Sequence, residues 1–307
     1  MQSLIDPYGR RITGLRISVT SKCNMSCIYC HSEGEKRDGG GGKDLDKEDI
    51  VRIVKVAAEY GVNKVKFSGG EPLLRSDLEE IISALPKLKD ISLTTNGSLL
   101  ADRAQGLKEA GLHRVNISLD TLNEEKYNLI TNCRKGSFHR VIEGINAALE
   151  AELAPVKLNM VILKGINEAE IEDMIQFIKG KALVLQIIQL LNFKDIAKYQ
   201  VNMLEIEEKL QRRASAIKIN ELHRRFKYCL DGAEVEVVRP VNNATFCAYC
   251  NRLRVTSDGK LKPCLLRNDN LVEFKGKSEL EIRELLKLAV SLREPYNKAE
   301  APIGECK

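Results

Sequence analysis

A chain of 307 residues, 43% hydrophobic and 30% charged, is sized for one large α/β domain and a smaller appendage. Its net charge of +5, from 48 basic and 43 acidic residues, is too dilute to mark a nucleic-acid binder but leaves room for an anionic small substrate. The first twenty residues lack a signal-peptide core, and the longest apolar run, ALVLQIIQLL at 182–191, is too short for a bilayer, so a cytoplasmic protein with no membrane contact is expected.

Short β-branched runs alternate with amphipathic stretches from the N-terminal side onward. Strands are expected at 15–20 (LRISVT), 64–68 (KVKFS), 91–95 (ISLTT), 114–119 (RVNISL), 156–163 (VKLNMVIL) and 183–191 (LVLQIIQLL). Helices are expected at 47–60, 78–85, 102–109, 139–151 and 169–178, the first with Ile50, Ile53, Val54 and Ala57 on one face. Six such βα alternations imply a parallel sheet under helices, curving into a partial barrel with its site on the loops after the strands. The glycine run at 39–42 lacks a following Gly-Lys-Ser/Thr pattern and reads as a loop. The expected division is a barrel at 1–191, a charged helical connector at 192–227 and a small α+β region at 228–307.

Nine cysteines in a reducing compartment are not a disulfide framework, and six of them form two tight groups. Cys23, Cys27 and Cys30 lie on the loop after the first strand, spaced so that three soft thiolates can wrap an iron–sulfur cluster. Three ligands to four irons leave one iron open, and an open position is what metal chemistry needs. The competing zinc knot would recruit His31, but adjacent Cys30 and His31 would strain a shared tetrahedron. The second group is Cys247, Cys250 and Cys264, set around an expected hairpin in which Ser-Asp-Gly (257–259) joins 252–256 to 260–262. Taken alone, its spacing is more often a zinc site, with Cys229 and Cys306 as candidate fourth ligands, than a second cluster. Cys133 reads as a core or surface thiol.

The first cysteine group, with Tyr29 before its last member, resembles the radical S-adenosylmethionine (SAM) superfamily. Ser68-Gly69-Gly70-Glu71-Pro72 is similar to that superfamily's glycine-rich SAM-binding motif. The resemblance implies a partial (β/α)6 TIM-like barrel. It also implies one [4Fe-4S] cluster whose open iron takes SAM, and reductive cleavage of SAM to a 5′-deoxyadenosyl radical. Tyr29, Gly70 and Ser118 would contact SAM.

LRISVT, CNMSCIYC, KFSGGEPLLR, LTTNG, VNISLD, VKLNMV and FCAYCNRLRVTSDGKLKPCL together resemble, in order, the GTP 3′,8-cyclases of molybdenum cofactor biosynthesis. That resemblance turns the second group toward a second [4Fe-4S] cluster with an open iron for the guanine ring. It implies GTP contacts from Arg16, Lys66, Thr94, Lys157, Arg252 and Arg254, and abstraction of hydrogen from the ribose 3′ carbon before attack on guanine C8. Fixed cations also suit a triphosphate chemically.

The chain departs from the family at its end, Ile303 to Lys307, where many members carry a Gly-Gly tail. It departs again at Gln186, Gln189 and Leu191, where many carry Arg, Glu and Met. Leu191 keeps an apolar contact to adenine. The rival readings are a radical SAM enzyme with an auxiliary cluster acting on a peptide, and a zinc-containing nucleic-acid-binding protein. An electron donor is required but not identified, and the oligomeric state, a homodimer included, is open.

Overall fold

The computed structural model describes residues 3–35, 43–192, 196–220 and 222–296. The glycine run at 39–42 and the terminal residues 303–307, Cys306 among them, lie outside the described residues.

Six strands run in parallel, β1 (Gly14–Ser18), β2 (Lys64–Ser68), β3 (Asp90–Thr95), β4 (Arg114–Ser118), β5 (Val156–Ile162) and β6 (Leu183–Gln189). Between them lie α1 (Lys47–Glu59), α2 (Leu78–Ser83), α3 (Ala104–Glu109), α4 (Glu124–Thr131), α5 (Ser137–Glu150) and α6 (Ile171–Ile178). All six expected strands form, each within two residues of its expected bounds. Helix α4 lies outside the sequence reading.

The residues after β6 form α7 (Met203–Arg213), β7 (Ala216–Ile219), β8 (Phe226–Leu230), β9 (Ala233–Val238) and α8 (Ala244–Ala248). They continue as β10 (Arg252–Val255), β11 (Lys260–Lys262), β12 (Val272–Glu273) and α9 (Glu279–Ser291). The segment 192–227, expected to be helical, therefore also carries β7 and the start of β8. All four β7 residues are exposed, so no buried alternation marks the strand in the sequence.

One twelve-stranded sheet has the order β12-β11-β10-β1-β2-β3-β4-β5-β6-β9-β8-β7. The C-terminal part thus adds to both edges of the six-stranded unit. Strand β10 pairs in parallel with β1, and β9 in parallel with β6. The expected hairpin is β10 against β11, antiparallel.

The two faces of the central strands differ in chemistry. Leu15, Ile17, Val65, Phe67, Leu93, Val115, Ile117, Leu158, Met160, Leu185 and Ile187 are buried. They alternate with Arg16, Lys66, Thr94, Asn116, Lys157 and Gln186, which line a cavity. Period two therefore sends the apolar side chains under the helices and the polar ones inward. Helix α1 shows the covering layer. Asp46 caps it by accepting from the Asp49 amide at 2.8 Å, and Ile50, Ile53, Val54 and Ala57 are fully buried. Truncating one of the isoleucines to alanine costs about 2–5 kcal/mol.

Candidate active site

The cavity, about 610 Å³, opens where the loops leave the C-terminal ends of the parallel strands. Every residue expected to hold a cluster or to contact SAM or GTP lines it: Cys23, Cys27, Cys30, Tyr29, Gly70, Ser118 and Leu191, then Arg16, Lys66, Thr94, Lys157, Arg252, Arg254, Cys247, Cys250 and Cys264.

The first cysteine loop is built on the helix that sequence reasoning missed. Helix α4 ends with carbonyls that have no intrahelical donor, and Ser26 and Ile28 supply amides to Thr131 and Ile130 at 3.0 and 2.9 Å. Ile28 and Tyr29 pack beside Ile130, Leu163 and Leu190, so this apolar contact fixes the loop's height above the barrel. The Tyr29 hydroxyl donates to Asp120 at 2.6 Å, whose other oxygen accepts from the Val161 amide at 2.8 Å. Burial lifts the Asp120 carboxyl to about 6 despite those bonds.

The glycine pair comes up against this loop from β2. The Gly70 amide donates to the Thr20 carbonyl at 2.8 Å and the Glu71 amide to Lys22 at 2.7 Å. A Cβ on Gly69 would lie 2.4 Å from the Thr20 oxygen, and one on Gly70 would lie 2.1 Å from the Lys22 oxygen. Only glycine permits that approach, immediately before Cys23. Glu71 is fully buried and accepts from the Leu73 amide, the Thr95 hydroxyl and the Asn96 amide at 2.9, 2.7 and 2.7 Å. It thereby ties the loop after β2 to the loop after β3.

The second cysteine group is held by backbone clamps from both ends of the chain. Arg10 donates to the Cys247 carbonyl at 3.0 Å, and Arg293 to the Cys250 carbonyl at 2.7 Å. Both guanidiniums share the buried Asp6 carboxylate, at 2.6 and 2.9 Å. Neither arginine carries a motif signal, because each acts through main-chain carbonyls far away in sequence.

None of the eight described cysteines is in a disulfide. Among the described residues, no three or more His, Cys, Asp or Glu form a site for a single metal ion. A cubane cluster is larger than one ion and takes its thiolates further apart than a shared tetrahedron does. The electrostatics agree with a cationic occupant at the first group. Burial pushes the Cys27 thiol up, and Asp120, Cys30 and Cys23 push it further, so three thiolates there need positive charge among them. At the second group burial opposes the Cys250 thiolate, but the Arg293 charge and the Arg252 amide outweigh it and hold the thiol below its ordinary value. Three thiolates at the first group suit a cluster, and the second group brings three more to the same cavity.

Basic side chains cover the wall between these loops. Arg16 reaches Glu33 at 2.6 Å and Ser68 at 3.1 Å, while Arg254 reaches the other Glu33 oxygen at 2.9 Å. Lys157 meets Glu236 at 2.6 Å, and Arg114 meets Asp90 at 2.5 Å. Lys66 donates to the Asn116 amide oxygen at 2.9 Å. Among the described residues neither Lys66 nor Arg252 has an ion pair. Burial lowers the Lys66 pKa well below its usual value, and Arg114, Arg16, Arg252 and Lys157 add to the effect. Burial likewise lowers Arg252, reinforced by Arg16 and Arg254. A wall of cations depressing one another is a site prepared for an anion.

Gln186, one of the departures from the family, is buried and bridges Asn116 at 3.0 Å to Glu236. Gln189 accepts from the Val241 amide at 3.1 Å, joining β6 to the loop after β9. Besides Arg10 and Arg293, the site residues that sequence reasoning missed include Glu33, Arg114, Glu236 and Arg225. Of these, only Arg114 stands inside a motif-bearing strand.

Comparison with known proteins decides the family. A model described as the radical SAM superfamily matches residues 17–178, and one described as Molybdenum Cofactor Synthesis C matches 183–299. A protein of Methanocella arvoryzae named "Probable GTP 3′,8-cyclase" is 54% identical over 97% of this chain and 95% of its own. The chain belongs to the GTP 3′,8-cyclase family of radical SAM proteins. Relatives with the same name include those of Methanosarcina acetivorans, 55% identical over 95% of this chain and 90% of its own, and Archaeoglobus fulgidus, 46% over 96% and 99%.

Radical SAM membership brings SAM and one [4Fe-4S] cluster. Solved structures support the fold of this GTP 3′,8-cyclase family member. Streptococcus suis SuiB superposes with a TM-score of 0.68 at 17% identity, covering 90% of this chain and 67% of its own. The protein anSMEcpe with bound AdoMet gives 0.59 at 18%, covering 90% and 81%. No helix among the described residues is long and apolar enough to cross a membrane.

Proposed function

We propose that this protein converts GTP to (8S)-3′,8-cyclo-7,8-dihydroguanosine 5′-triphosphate, the first step of molybdenum cofactor biosynthesis, in the cytoplasm. The observation that carries this reading is that both cysteine groups and the cation wall open on one cavity. Two metal groups and a polyanion site would otherwise have no reason to share one enclosure.

Cys23, Cys27 and Cys30 would hold the cluster that takes SAM, and Cys247, Cys250 and Cys264 a second [4Fe-4S] cluster facing the nucleotide base. When bound and reduced, the first cluster with SAM supplies a carbon radical that takes hydrogen from the ribose 3′ position. The chain's part is placement. Gly70 lets backbone approach SAM, with Tyr29, Ser118 and Leu191 around it. Arg16, Lys66, Lys157, Arg252 and Arg254 fix the triphosphate, with Thr94 beside them, and a fixed substrate presents the same ribose hydrogen at every turnover. Enclosure limits water near the reactive carbon.

The fold neighbour SuiB has been solved bound to precursor peptide SuiA, so a peptide substrate is the second reading. The buried cations without carboxylate partners favour a polyanion over a peptide. Anaerobic incubation of the reduced, cluster-loaded protein with SAM and GTP tests the proposal. The expected products are 5′-deoxyadenosine and the cyclic nucleotide in equal amounts. SAM cleavage without a GTP-derived product would overturn the cyclase reading and leave the family assignment standing.

A further inference from the structure

Between β7 and β8 the chain reverses through two successive non-glycine residues of positive φ, His223 at 61° and Arg224 at 50°. L-residues avoid this region unless the surroundings hold them there. His223 is so held. Its ring stacks on Phe246 with centroids 3.6 Å apart and planes 5° apart, and its Nδ1 lies 2.7 Å from the Phe246 carbonyl. Both side chains line the cavity, and the next residue in the turn, Arg225, joins them.

Arg225 is poorly served where it stands. Its side chain is 15% exposed, and among the described residues its Nε is buried without a hydrogen-bond partner and its nearest carboxylate oxygen, on Glu236, is 3.6 Å from Nη1. Both Glu236 oxygens are already engaged, one by Lys157 at 2.6 Å and the other by the Gln186 amide. A buried guanidinium with unmet donors is destabilising unless another acceptor arrives. Its neighbours say what that acceptor carries. Burial lowers the Arg225 pKa and Arg114 lowers it further, and Lys157 feels the same two arginines after its own burial and Glu236. Cations crowded in this way are matched by several negative charges held together, and the planar guanidinium fork fits phosphate oxygens.

We propose that Arg225 is a further substrate-binding residue, donating to the triphosphate of the bound nucleotide from the C-terminal side of the cavity. The proposal rests on the GTP reading above. It adds a phosphate contact from β8's approach turn to those expected from the barrel strands.

The test measures dissociation constants of GTP, guanosine and SAM on the anaerobic, cluster-loaded protein by calorimetry. The wild type is compared with Arg225→Ala and Arg225→Lys. Glu236 keeps Lys157 and Gln186 in the alanine variant, so an unchanged SAM affinity serves as the check on folding. Arg225→Ala is expected to weaken GTP about 10- to 100-fold, the range of a charge-assisted hydrogen bond, and to leave guanosine unchanged. Arg225→Lys is expected to recover part of the GTP affinity. Equal weakening of GTP and guanosine, no weakening of either, or a loss confined to SAM would overturn the assignment. A wild type that binds no GTP would instead remove the GTP reading and this inference with it.

Discussion

Arg16 and Arg254 lie in register on the neighbouring parallel strands β1 and β10, and both close on one carboxylate, Glu33, at 2.6 and 2.9 Å. Glu33 therefore occupies two cations assigned to the substrate triphosphate. It stands three residues after Cys30 with a φ of 54°, an uncommon conformation for a glutamate. A triphosphate reaching those arginines competes with it. Glu33→Gln is expected to lower the KM for GTP by roughly three- to tenfold, because the arginines lose an ionised competitor. A higher KM, read from initial rates at saturating SAM, would mean that Glu33 orients the arginines instead of guarding them.

Glu236 yields a pH dependence. Burial opposes its ionisation, but Lys157 and Arg225 outweigh that and hold the carboxyl at about 2, against an ordinary 4.5. The folded-state pKa is depressed, so its stabilisation is complete above about 4.5 and is lost as pH falls toward 2. Glu236→Gln leaves Lys157 buried without its partner and is expected to cost roughly 3–5 kcal/mol at pH 7. Denaturant titrations of the cluster-free protein will show the gap from wild type narrowing below pH 4.5. A gap constant from pH 7 to 3 would contradict the assignment.

Gly70→Ala tests the close approach before Cys23. The new Cβ meets the Lys22 backbone oxygen at 2.1 Å, so backbone must move on one side or the other. Neither side is a flexible side chain that could swing away. SAM affinity is expected to fall at least tenfold, with GTP affinity much less affected. Equilibrium binding of labelled SAM reads this directly, and unchanged SAM affinity would show that the glycine pair does not shape that part of the cavity.

The cysteine groups separate by variant. Two [4Fe-4S] clusters predict about eight irons per chain, and loss of one leaves about four. Cys23→Ala is expected to abolish SAM cleavage. Cys247→Ala is expected to keep SAM cleavage and lose the cyclic product. About four irons with one zinc in the wild type would refute the two-cluster assignment, as would full cyclase activity in Cys247→Ala.

The parallel strands and the cavity-lining residues were legible because they depend on local pattern. VKLNM alternates apolar with polar residues, and that alternation separates the helix-covered face from the face bearing Lys157 and Asn159. What escaped depends on pairing across long separations. Glu236 reads as one acid in a charged strand until β9 is set beside β6, where it meets Lys157 from 79 residues away. Arg225 sits in His-Arg-Arg-Phe-Lys, a stretch that reads as a solvated surface, and only the turn at His223 takes it inside. Helix α4 is short, and its part in holding the cysteine loop is made through main-chain carbonyls, which no side-chain pattern reports.

The placement of β9 against β6 and β10 against β1 has a consequence for how the chain can be cut. The ten residues of β9 and β10 close both margins of the six-stranded unit, so removing them would bare two ladders of amides at once, each open to unwanted self-association. A gene fusion or recombination that exchanged only one seam would leave the other mismatched. The N-terminal and C-terminal halves are therefore two parts of one sheet, and neither half closes its own edges.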